Sequence, residues 1–103
     1  MKRLTLESKM KSVVEVYFIS LHHLQMKTIS SGEKDELSPF YKFYSDVESA
    51  FYYLNKEYQR LINNEFFYQA YPGWWSNEFT CKEFKSKRNK AIRLFLERFY
   101  EIH

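Results

Sequence analysis

The sequence predicts an all-α fold, a small bundle of four to five helices, on two observations. Apolar residues recur along most of the chain at spacings of three and four, the period of a helix with one buried face. Gly and Pro, which tight hairpins require, number only two each in 103 residues, so the elements are long and the corners few. Core material is plentiful, because 45% of the residues are apolar and 20% aromatic. Rings bury large areas, so such a core holds without crosslinks. A chain of this length encloses one core and reads as a single domain over 1–103. Residues 1–53 form an N-terminal helical platform and 54–103 a second, helix-turn-helix-like unit.

Leu6, Met10, Val13, Val14, Tyr17, Leu21 and Leu24 form the first apolar stripe and predict an amphipathic helix over 4–27. Val13, Val14, Val16, Tyr17, Phe18 and Ile19 favour a strand by propensity, but their flanks keep the helical period and a lone strand would lack a partner. Residues 28–37 hold Ser30, Ser31 and Gly32 and a charged run without periodicity, the pattern of an exposed loop. Ser38-Pro39 opens the next helix: Ser is a favoured cap, and Pro suits a first position whose N–H has no partner anyway. Phe40, Phe43, Tyr44, Val47, Ala50, Phe51 and Leu54 succeed one another on one face.

Asn55 is placed to cap a third helix bearing Tyr58, Leu61, Ile62, Glu65 and Phe66, although the same stripe also fits one continuous helix through Leu54. Tyr71-Pro72-Gly73 enforces a turn over 67–73, and 74–79 is at most a short helical turn. Thr80-Cys81-Lys82-Glu83 is a capping box, in which each side chain can satisfy the other residue's backbone donor. It starts a last helix to about residue 102 that turns Phe84, Ala91, Ile92, Phe95, Leu96 and Phe99 inward and Lys82, Lys85, Lys90 and Arg93 elsewhere.

The net charge of +3 is unevenly spread. Residues 1–78 hold nine Lys/Arg against ten Asp/Glu, a balance of −1, whereas 79–103 hold seven against three, a balance of +4. Within 82–93, Lys82, Lys85, Lys87, Arg88, Lys90 and Arg93 face Glu83 alone, a clustering that suits a polyanion. The bland alternative is a solvated helix face.

The C-terminal half therefore reads as helix, turn, short aromatic piece and capped basic helix, the order of a helix-turn-helix. Residues 54–66, with Leu54 at the start and Leu61, Ile62 and Phe66 at core positions, resemble the opening helix of region 4 of bacterial sigma factors and of small phage-type and mollicute regulators. Thr80-Cys81-Lys82-Glu83-Phe84-Lys85, closing on Lys90-Ala91-Ile92-Arg93-Leu94-Phe95, is similar to that family's recognition helix. The resemblance implies that Thr80, Cys81, Lys82 and Lys85 meet bases or phosphates, that Lys87, Arg88, Lys90 and Arg93 meet the backbone, and that the role is in transcription. Two features depart from the family: only 13 residues separate Phe66 from Thr80, and Lys87 and Asn89 occupy positions that are commonly apolar.

Other motifs are weaker. Trp74-Trp75 is either a stacking platform for single-stranded nucleic acid or, more in keeping with the worth of indole burial, a plug beneath the turn. His22 and His23 are adjacent and project to different sides of a helix, so no metal site is expected. Cys81, the only cysteine, cannot form an intramolecular disulfide; a redox role is a lesser alternative to a plain thiol. The longest apolar run, 13–21, is broken by Glu15 and Ser20 and falls short of the roughly 20 residues of a membrane span. The first residues lack a signal-peptide pattern, so the cytoplasm is the expected compartment. No nucleophile set, phosphate loop or carboxylate pair is evident, so neither catalysis nor a cofactor is expected.

The expected function is DNA-binding regulation of transcription, with duplex DNA as partner and RNA polymerase or another protein as a second one. Replacing Lys85 and Arg88 by Glu is expected to abolish binding and spare the fold. The rival reading is a protein-interaction or homodimerisation module whose surface is built from Tyr41, Tyr44, Tyr52, Tyr53, Trp74 and Trp75.

Overall fold

The computed structural model describes the backbone of residues 5–31 and 38–103 and the side chains of 5–26 and 38–103. The fold is all-α, and no strand occurs among the described residues. Four α-helices succeed one another: α1 (Leu6–Ser31), α2 (Pro39–Tyr53), α3 (Lys56–Ile62) and α4 (Cys81–Ile102). A π-helical turn, Asn63–Phe67, extends α3. None of these helices is long and apolar enough to cross a membrane.

Each boundary has a local cause. Thr5 caps α1 by accepting from the Ser8 N–H at 3.0 Å. The helix then continues past residue 27, so 28–31, expected as loop, are helical. Extending an existing helix is easy, and the sequence offers no strong breaker before Gly32. The remainder of the expected loop, 32–37, lies outside the described residues. Residues 13–19, the stretch rich in β-formers, are helical throughout.

Ser38 caps α2 through Phe40 N–H at 3.1 Å, with Pro39 in the first turn. Leu54 is extended, with ψ 155°, and Asn55 accepts from the Tyr58 N–H at 2.8 Å, so the stripe breaks into two helices. Gln59 Nε2 donates to the Leu54 carbonyl at 2.8 Å and satisfies an acceptor left open at that break. The π turn closes with Tyr68 N–H donating to the Asn63 carbonyl at 2.7 Å. Gln69, at φ 56°, then takes the left-handed conformation that ends the helix. Gly73, at φ 79°, serves the next turn; open space surrounds it, so its backbone angle is what favours glycine.

Helix α4 is the axis of the molecule and packs against α1, α2 and α3. Ala91, Ile92, Phe95, Leu96 and Phe99 join Met10, Val13, Val14, Val47, Ala50, Leu54, Ile62 and Phe66 in one buried cluster. Both sequence halves thus contribute to one core. Phe43 sets its ring edge-on to Phe99 at 5.3 Å, and Phe95 stacks on Phe99 at 6.3 Å.

Ser20 is fully buried on the core face of α1, and its hydroxyl has no hydrogen-bond partner. An unpaired buried hydroxyl opposes folding by about 1–3 kcal/mol. Ser20→Ala is therefore expected to raise stability by about 1 kcal/mol, read as a higher urea midpoint at unchanged slope.

Candidate nucleic-acid interface

The basic run of α4 divides into two groups. Lys82, Lys85, Lys90 and Arg93 are exposed, and none has an ion-pair partner among the described residues. At about 100° per residue these four fall within a sector of about 140°, over roughly 16 Å of helix. Ser86 and Asn89, also exposed, lie in the same sector and add no negative charge. Glu97 and Glu101 lie one and two turns beyond Arg93, so the positive stripe is confined to the first half of the helix.

Lys87 and Arg88 belong to the second group, which holds the fold together. Lys87 Nζ reaches Glu57 Oε1 at 2.8 Å and lies 5.2 Å from the centre of the Phe79 ring. The hydrogen bond to Glu57 raises the pKa of this lysine. Arg88 Nε donates to Glu65 Oε1 at 2.7 Å and Nη2 to Glu7 Oε1 at 2.9 Å. Its guanidinium also covers the Phe66 ring at 5.0 Å. Side-chain exposure is 18% for Arg88 and 21% for Glu65, so this pair is mostly shielded from water. The second oxygen of Glu65 accepts from Trp74 Nε1 at 3.0 Å. Arg88 thereby ties α4 to α1 and to the π turn, which makes the Lys85/Arg88 double reversal unsuitable as a fold-sparing test.

Thr80 likewise serves structure. Its hydroxyl accepts from the Glu83 N–H at 3.1 Å and donates to Glu83 Oε1 at 3.0 Å. The capping box thus differs from the expected reciprocal form, because the Glu83 carboxylate takes the threonine hydroxyl. Thr80→Ala is expected to reduce stability by about 1 kcal/mol in chemical denaturation and to leave affinity for polyanions unchanged.

Arg60 and Glu78 form a bidentate pair that fastens the connection between α3 and α4. The connection, 68–80, is a series of turns around two tryptophans, in contrast to the three- to four-residue turn of a helix-turn-helix. Trp75 stacks on Phe84 at 4.4 Å, and Trp74 meets the same ring at 5.9 Å and 89°. Both indoles are half-buried, consistent with plugs beneath the turn.

The six aromatic residues of the rival surface do not form one patch. Tyr44 stacks on Tyr17 at 5.6 Å, and Tyr53 lies beneath the Arg98 guanidinium at 4.8 Å. Phe43, between Tyr41 and Tyr44 in sequence, packs on Phe99, whereas the Trp pair packs on Phe84, about 22 Å away along α4. His23 stacks on Phe40 at 4.0 Å, and Cys81 is exposed in the first turn of α4.

Comparison of the chain with protein-family models, with curated proteins and with solved structures gave no match.

Proposed function

We propose that this protein is a DNA-binding regulator of transcription that lays the outer face of α4 along duplex DNA. The observation carrying this reading is the sorting of charge on α4. Lys87 and Arg88 are matched to carboxylates, while Lys82, Lys85, Lys90 and Arg93 remain unmatched on one face among the described residues. Four such cations on one rigid helix suit a row of phosphates. The likeness of residues 54–66 and 80–95 to sigma-factor region 4 supports a role in transcription, with α4 alone as the contacting element.

The test is a titration of labelled random-sequence duplex DNA followed by fluorescence anisotropy. Binding in the micromolar range at low salt, reversed by added salt, is the expected result. Absence of binding at low salt overturns the proposal.

A further inference from the structure

We propose that the cavity between α1, α2 and the π turn is a binding site for a small organic cation, an ammonium ion carrying an apolar body. The cavity has a volume of about 330 Å³, within the range of small-molecule sites. Phe67 is one of its lining residues. Its ring meets Tyr17 at 5.2 Å and 84°, Phe51 at 6.0 Å and 80°, and Phe18 at 6.1 Å and 63°. These rings pack edge to face on one another and together line the cavity, and aromatic ring faces carry the negative potential that attracts cations. Tyr52 and Tyr68, 65% and 76% exposed, stand at the open side.

Charge points to the same class of ligand. Glu48 is the ionisable acid lining the cavity, and no Lys, Arg or His lines it among the described residues. One Glu48 oxygen accepts from the Tyr17 hydroxyl at 2.6 Å, and the residue has no ion pair among the described residues. Burial, reinforced by the hydrogen bond to Glu48, holds the Tyr17 hydroxyl well above the usual phenol range, and that hydroxyl donates to the carboxylate. A neutral apolar ligand would leave the Glu48 carboxylate without a cation partner; an ammonium ion supplies one and sets its alkyl groups against the rings.

The backbone gives independent support. The π turn, closed by the i→i+5 bond from the Tyr68 N–H to the Asn63 carbonyl, ends α3 at the cavity, and Asn63, Phe67 and Tyr68 all line it. Such turns recur at functional sites.

Calorimetric titration of the whole protein with choline, and with its neutral isostere in which carbon replaces the quaternary nitrogen, tests the assignment. Choline is expected to bind at least about tenfold more tightly than the isostere and to shift the ring NMR signals of Tyr17, Phe18, Phe51 and Phe67. Glu48→Gln is expected to weaken choline at least about fivefold and to leave the isostere unchanged. Phe18, 44% exposed, can be changed to Ala with little risk to folding, and this variant should also weaken choline. Equal affinity for the two ligands, no binding of choline at millimolar concentration, or binding indifferent to both substitutions overturns the proposal.

Discussion

Replacing Lys85 and Arg93 by Gln is expected to weaken binding to duplex DNA about a hundredfold at 50 mM salt. Each neutralised phosphate releases just under one counterion, so each lost contact removes about tenfold in affinity at that salt. Gln keeps the helix propensity and most of the length of both side chains. Both positions are exposed and without ion-pair partners among the described residues, so the fold should keep its urea midpoint. Extending the change to Lys82 and Lys90 removes the whole stripe and should abolish binding. Lys87→Gln is the internal control: its charge is already matched by Glu57 at 2.8 Å, so its effect on affinity should be several-fold smaller than that of Lys85→Gln.

Arg88→Met is expected to show the opposite pattern, a loss of stability with nearly unchanged affinity for DNA in the folded fraction. Met fills much of the space of the arginine stem but leaves Glu65, 21% exposed, without its cation. Breaking a buried pair on one side costs about 3–5 kcal/mol, and the residual exposure here reduces the expected loss to about 2–3 kcal/mol. The cation over Phe66 and the link to Glu7 on α1 are lost as well. A double change, Arg88→Met with Glu65→Gln, should recover part of the loss, because Gln can keep the acceptor for Trp74 without a stranded charge.

Acid titration reads the same network. The Arg88 hydrogen bond holds Glu7 below its ordinary 4.5, and the hydrogen bond from Arg60 does so for Glu78. A carboxylate lowered by folding contributes stability that is present above its unfolded pKa and lost as the pH falls through its folded value. The urea midpoint should therefore decline below about pH 4.5, and part of that decline should vanish in Arg88→Met.

The helices were readable because their signals are local. Ser38, Asn55 and Thr80 each cap through their own side chains, Pro39 follows Ser38 in the first turn, and the inward residues of α4 are those its spacing indicates. Two local features escaped because the pattern does not encode them. Helix α1 runs on to Ser31, since nothing before Gly32 opposes it, and the π turn sets Phe66 in the buried cluster and Phe67 against it, contacts made with residues distant in sequence. Ser20 looked like an interruption of an apolar run yet occupies a core position.

The basic run was visible in the composition, but its division was not. Glu7 and Glu65 lie 81 and 23 residues from Arg88 in sequence, and only the tertiary fold brings them to its guanidinium. The carboxylate of Glu48 and the ring of Phe67 illustrate the same limit. Neither stands out in the sequence, and each becomes a cavity wall once α1, α2 and the π turn converge.

The most direct test of the α4 stripe is the slope of log affinity against log salt for duplex DNA, measured on the wild-type chain and on Lys85→Gln/Arg93→Gln. Four phosphate contacts predict a wild-type slope of about −3.6, reduced in magnitude by about 1.8 in the variant. A wild-type slope near zero, or the same slope in both proteins, would contradict the assignment of Lys82, Lys85, Lys90 and Arg93 as the DNA-binding face.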